Sequence, residues 1–290
     1  MFKGSMVALV TPFKNGKIDE KALGALVEFH IKNGTSAVVP CGTTGESATL
    51  SYDEHDKVIE LAIQFSKGRI PVIAGTGSNS TEEAIALTMH AKKAGANASL
   101  QVSPYYNRPT QKGLYLHFKA IAEAVDIPII IYNIASRTGV NIEPETFAKL
   151  AEIKNIIGVK ESSGSLEQMS RIRKLCPKNF LLISGDDALT LPVLSIGGVG
   201  IISVVANIIP GDVADMCRAF ESGSIKKAEE LHYKMLGLVK AMFIETNPIP
   251  VKTAMGLMKM CEPDLRLPMC EMLPENREKL VKALKEYKLI

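Results

Sequence analysis

Cysteine is sparse in this chain. The 290 residues hold five, Cys41, Cys176, Cys217, Cys261 and Cys270, an odd number, widely spaced and with no Cys-x-x-Cys pair. That spacing offers neither a disulfide framework nor a thiolate clip for a metal, and predicts reduced thiols in a cytoplasmic chain. Charge of one sign is lacking too: the net charge is +3, and no basic run is longer than a pair. Without an electrostatic footprint for nucleic acid, neither DNA nor RNA is expected as a partner. Long hydrophobic runs are missing as well. The opening MFKGSMVALVTPF ends its apolar stretch at Pro12 and has no small-residue cleavage site, so no export is expected. Residues 199–209 are too short and too interrupted for a span of about 20 residues, and no membrane association is expected. The five histidines, His30, His55, His90, His117 and His232, make no ligand pair at metal spacing. Asp186 and Asp187 stand together without a histidine cluster, so no metal is expected. Neither GTTGES nor GGVG matches a nucleotide fingerprint, and no cofactor is expected.

What the chain has is apolar strands in number. The hydrophobic fraction of 46% and charged fraction of 22% are those of a soluble protein with a sizeable core. Short apolar runs recur at 6–10, 37–40, 71–74, 99–102, 128–132, 156–160, 181–184 and 199–204. They are continuously apolar rather than alternating, which marks strands buried on both faces. Helix-patterned segments lie between them, among them 20–33, 52–66, 81–94, 113–124 and 143–151. Eight such alternations predict an α/β fold, a (β/α)8 TIM barrel, with a doubly wound sheet as the second choice. The alternation is expected to stop after Ile209 and Pro210. Helical segments at 226–243, 251–260 and 274–287 then predict a barrel over 1–224 and a small all-helical C-terminal domain over 225–290.

In such a barrel, chemistry sits at the carboxyl ends of the strands. Lys160 ends the apolar run of Ile156, Ile157 and Val159. A lysine there either lifts its ammonium to a wet rim or gives up its proton, because desolvation disfavours the charged form. A neutral amine in a closed pocket attacks carbonyl carbon and forms a Schiff base. Taken alone, a strand-end lysine more often pairs with a neighbour, here Glu161, or snorkels to the surface. GTTGES, Gly42 to Ser47, offers backbone N–H groups and the Thr43 and Thr44 hydroxyls to a carboxylate or phosphate, although glycine-rich loops are also simply tight turns. Tyr132 puts a phenol at the rim, fit to relay a proton. Arg137 offers a planar fork to a second carboxylate, or a surface ion pair. Tyr105 and Tyr106, between Pro104 and Pro109, suggest an interface or a mouth rather than a core.

GTTGES, SPYYNRP, YN followed by SRTG, GVKESSG and GDD, in this order across essentially the whole chain, resemble the dihydrodipicolinate synthase family. That family lies within the N-acetylneuraminate lyase superfamily of class I aldolases. The resemblance implies condensation of pyruvate with aspartate β-semialdehyde, the first committed step of the diaminopimelate route to lysine. It implies that Lys160 forms the imine with pyruvate, that Tyr132 is the acid/base group, and that Thr43 joins Tyr132 to Tyr106 of a neighbouring subunit in a proton relay. Thr44 and Ile202 would contact the pyruvate moiety, Gly185 would lie among the substrate-binding positions, and Arg137 would hold the semialdehyde carboxylate. A homotetramer, a dimer of dimers, is expected on the same ground. So is L-lysine as an allosteric effector at Ser47, Ala48, His55, Asn79, Glu83 and Tyr105.

Two departures from the family stand out. Ala135 replaces the usual proline, which predicts a looser loop around Arg137. Tyr52 stands where inhibited members often carry a second histidine. Other pyruvate-dependent aldolases of the superfamily, such as neuraminate lyases and keto-deoxy-sugar aldolases, share the lysine and the first tyrosine. The threonine pair in GTTGES and Arg137 favour the synthase over them. A silent barrel scaffold would show damage at Lys160, Tyr132, Thr43 or Arg137, and none is visible.

Overall fold

The computed structural model describes residues 2–290. Eight parallel strands, β1 (Gly4–Ala8), β2 (Ala37–Val39), β3 (Ile73–Gly75), β4 (Ala98–Val102), β5 (Ile129–Asn133), β6 (Ile156–Glu161), β7 (Leu181–Ser184) and β8 (Gly200–Ser203), make one sheet. β1 pairs with β2 on one side and β8 on the other, and a parallel bridge from Val38 to Val72 closes the ring. β3 starts at Ile73, later than the apolar run suggests, because Pro71 has no N–H for the ladder. Its carbonyl still accepts from Val38 N at 3.0 Å.

The unbroken apolar character of the strands follows from burial on both faces. Met6, Ala8, Ile73, Ile130, Ile183 and Ile202 pack inside the barrel. Val7, Val38 and Ala74 point outward into one helix-covered cluster, and Ile129, Ile131, Val159 and Leu182 into another. That alternation is the two-residue period of a strand.

Barrel helices are α1 (Glu20–Lys32), α2 (Tyr52–Ser66), α3 (Thr81–Ala94), α4 (Gln111–Ala124), α5 (Pro144–Leu150), α6 (Leu166–Leu175), α7 (Thr190–Ser195) and α8 (Pro210–Glu221). Asp19, Ser51, Ser80, Thr110 and Ser165 cap the starts of α1, α2, α3, α4 and α6 with their side chains. The expectation that alternation stops at Pro210 is corrected by α8, in which that proline is the first helical residue. Its missing N–H would have had no intrahelical partner there in any case.

Three helices follow, α9 (Ile225–Ala241), α10 (Ile249–Leu257) and α11 (Pro274–Glu286). Leu231, Met235, Leu280 and Leu284 share one apolar cluster with Val7, Val205 and Met216 of the barrel, so these helices pack directly on it. A small hairpin, Phe13–Lys14 with Lys17–Ile18, fills the first strand-to-helix loop. Its turn is Asn15-Gly16, both at positive φ, the dipeptide suited to a two-residue hairpin. Among the described residues, no helix is long and apolar enough to cross a membrane.

Candidate active site

Adjacent parallel strands carry Tyr132 and Lys160 to the same height, as register partners on β5 and β6. Both are buried, each 5% exposed, and the Lys160 amine sits over the phenol ring, 4.1 Å from its centroid. The strand's alternation sends Glu161 to the opposite face. There its carboxylate accepts from Asn133 Nδ2 at 3.0 Å, Gln168 Nε2 at 3.2 Å and Ser163 N at 2.6 Å. Pairing of Lys160 with Glu161 is thereby ruled out, and no ion pair among the described residues involves Lys160. The snorkelling alternative fails on the same burial.

Gly185, the residue after β7, lies against the lysine stem. A β-carbon there would fall 1.9 Å from Ser162 Oγ and 3.0 Å from Lys160 Cε. Ile202 is fully buried on β8 and packs in the same interior cluster as Tyr132.

GTTGES forms a tight turn after β2. Gly45 N and Ser47 N donate to Gly42 O at 3.0 and 3.4 Å, Glu46 N donates to Thr43 O at 3.1 Å, and Thr11 Oγ1 donates to Gly45 O at 2.7 Å. Among the described residues, the N–H groups of Thr43 and Thr44 find no acceptor. Two adjacent unpaired donors are what an anionic ligand needs. Thr44 is buried, and its hydroxyl accepts from Asn247 Nδ2 at 3.0 Å.

Arg137 lies in a single helical turn, Ala135–Thr138, that ends on Gly139 at φ +74°. Gly139 N donates to Ala135 O at 2.9 Å, so the turn closes without a proline. The guanidinium is anchored as well, since Arg137 Nη2 donates to Asn247 O at 3.1 Å. Asn247 thus touches two of the expected site residues, and its own Oδ1 is buried with no partner among the described residues. The sequence carries no sign of it: Asn247 lies 203 residues from Thr44, in an unremarked polar step before Pro248.

A cavity of about 600 Å³ opens here, lined by Thr43, Tyr132, Arg137 and Asn247. The same cavity continues to Ser47, Ala48, His55, Glu83 and Tyr105, and to Tyr52. Thr43, Tyr132 and Arg137 therefore share one space with these effector candidates, whereas Lys160 and Thr44 are not among its lining residues. Hydrogen bonds, first from Ser78 and then from Tyr52, hold the Glu83 carboxyl below the usual carboxylate range. Burial lowers the His55 imidazole. Asn79 is not among the lining residues; its side-chain amide donates to Tyr105 O at 3.3 Å and its backbone carbonyl accepts from Asn107 Nδ2 at 2.8 Å.

Tyr106 is not brought to Tyr132 and Thr43 within the chain. It is 92% exposed and holds φ at +72°, in a loop that carries it away from its own barrel. Asp187 is occupied structurally: its buried carboxylate accepts from Ser203 Oγ, Val204 N and Val205 N. No group of three His, Cys, Asp or Glu residues able to hold a metal occurs among the described residues.

Comparison with known proteins bears on this geometry. Residues 1–287 match the Dihydrodipicolinate synthetase family. A 4-hydroxy-tetrahydrodipicolinate synthase of Syntrophus aciditrophicus is 60% identical over 290 residues, covering 100% of both chains. A crystal structure of dihydrodipicolinate synthase from Aquifex aeolicus superposes with a TM-score of 0.98 at 55% identity, covering 99% of each chain. Another, from Cyanidioschyzon merolae and solved with lysine bound, superposes with a TM-score of 0.96 at 42% identity, covering 100% of this chain and 99% of that one.

Proposed function

The chain belongs to the dihydrodipicolinate synthetase family, and from that premise we propose that it condenses pyruvate with L-aspartate 4-semialdehyde to give 4-hydroxy-tetrahydrodipicolinate, through a Schiff base on Lys160. The observation that carries the site assignment is the buried Lys160 amine, without an ion-pair partner and stacked on Tyr132, in a barrel whose GTTGES turn leaves the N–H groups of Thr43 and Thr44 unpaired.

In this reading those N–H groups hold the pyruvate carboxylate, and the Lys160 amine attacks the keto carbon. Water leaves as the imine forms, with Tyr132 carrying the protons. Loss of a methyl proton gives the enamine, whose carbon attacks the semialdehyde aldehyde carbon and leaves an alkoxide that takes up a proton. Arg137, pinned to Asn247, holds the semialdehyde carboxylate. The amino group of the adduct then adds to the imine carbon, closes the ring and expels Lys160. Nothing in these steps needs a metal or an organic cofactor. Tyr106 completes the relay through Thr43 from a neighbouring subunit, since its exposure and its outward loop fit a role across an interface. A homotetramer built of such dimers and a cytoplasmic location belong to the same reading.

We extend the reading to L-lysine as effector, at Ser47, Ala48, His55, Glu83 and Tyr105 with Asn79 beside them. The structure of a relative with lysine bound and the acidic Glu83 in the shared cavity support it. A polyol-cleaving aldolase is less favoured, because Arg137 and Asn247 frame a charged, short substrate. Reduction with borohydride in the presence of pyruvate tests the central step. Labelling of Lys160 alone is the expected result, and labelling elsewhere or none overturns it.

A further inference from the structure

The glutamate of GTTGES, Glu46, has no part in the reaction steps above. Glu46 is almost fully buried, its side chain 2% exposed, and it meets Lys252, whose side chain is 0% exposed, at 2.6 Å. Its other oxygen accepts from Arg266 N at 3.0 Å. Lys252 Nζ also donates to Asp264 O at 2.6 Å and lies 4.2 Å from the centroid of the Phe13 ring. Arg266 covers the same ring at 4.4 Å and forks onto Glu54 with both contacts at 2.6 Å. Glu46 holds a left-handed backbone, φ +53°, a conformation that a residue other than glycine keeps only when its surroundings enforce it.

We propose that Lys252 is a positioning residue for the keto-acid carboxylate: its ammonium neutralises Glu46 and pins the GTTGES turn, so that the Thr43 and Thr44 N–H groups face the ligand. Glu46 stands two residues from Thr44. An unpaired carboxylate there would repel the very anion the turn binds, and a buried charge that loses its partner is strongly unfavourable. The C-terminal helices thereby enter catalysis, through α10 and the segment after it.

This role of Lys252 rests on the proposed pyruvate chemistry, and experiment separates the two. In the full-length protein, K252M, E46Q and the double variant are compared for pyruvate KM, kcat, thermal midpoint and borohydride labelling of Lys160. K252M leaves a bare anion by the turn, so its pyruvate KM rises by about tenfold or more, an amount equal to 1.4 kcal/mol per factor of ten. E46Q leaves no such anion, and its KM rises less. The double variant recovers thermal stability, while its KM stays a few-fold high because the clamp is gone. A purely structural role moves both single variants alike, in proportion to lost fold, and overturns the proposal. If K252M does not fold, a wild-type KM in the double variant overturns it equally. Wild-type enzyme that fails to trap pyruvate on Lys160 would instead overturn the function assigned above.

Discussion

The bare backbone of Gly185 lies against the aliphatic stem of Lys160, with room for no additional atom. A β-carbon at 185 would stand 3.0 Å from Lys160 Cε and 1.9 Å from Ser162 Oγ. Something must move, and the candidates are the lysine or the loop that follows it.

Gly185→Ala should therefore displace the nucleophile while the barrel stays folded. A misplacement of about 1 Å at a reacting group costs on the order of 100-fold in rate, and that loss is expected in kcat. Lys160→Ala should remove nearly all turnover with the far-ultraviolet circular dichroism unchanged. A G185A enzyme with wild-type kcat would show that the stem does not depend on this contact.

Tyr106 gives a different signature, because its partners lie outside its own barrel. Tyr106→Phe alone should lower turnover. Mixing Y106F chains with K160A chains, and letting subunits exchange, should then raise turnover above that of either parent. Mass spectrometry verifies the exchange. Hybrids that form and stay inactive would place Tyr106 outside the relay.

Glu83 tests the effector site. Its carboxylate is anionic and faces the cavity, so a lysine ammonium should pair with it. Activity assays at saturating substrates across an L-lysine titration should show inhibition, and Glu83→Thr should weaken or abolish it with basal activity unchanged. Insensitivity of the wild type, or equal inhibition of E83T, contradicts the assignment.

Stability should fall in mild acid for reasons unrelated to catalysis. Burial pushes His30 down to about 3 and His117 down to about 4, whereas an unfolded histidine titrates near 6.5. Between these values the unfolded chain binds the proton and the folded one does not. The neutral-ring contribution is thus fully present above about pH 6.5 and is lost as pH falls toward the folded values, by up to about 1.4 kcal/mol per group for each pH unit. Thermal midpoints from pH 7 down to pH 4 measure this. His117→Asn should flatten the slope, and an unchanged slope would mean that the ring is not neutral in the fold.

Much of the architecture was legible in the order of residues alone. Eight apolar runs that never alternate can only be strands covered on both sides, and their spacing by helix-patterned segments leads to a barrel. The barrel in turn places Lys160, Tyr132 and GTTGES at one rim, because parallel strands share their carboxyl end. The family motifs named the chemistry, since each is a short, contiguous loop whose residues act where they stand in sequence.

Tertiary structure decided what depends on contacts between distant segments. Lys160 has the same neighbours in sequence whether it pairs with Glu161 or stacks on Tyr132. The choice comes from the register of β5 with β6 and from the amides of Asn133 and Gln168 that take Glu161. Asn247 and Lys252 left no trace, for the related reason that both lie far along the chain, Asn247 just before α10 and Lys252 within it, more than 200 residues from the turn they hold. A buried lysine on an apolar helix reads as an anomaly until its carboxylate is found. The continuity of the catalytic cavity with the Glu83 region is likewise a property of packed surfaces, which no local pattern encodes.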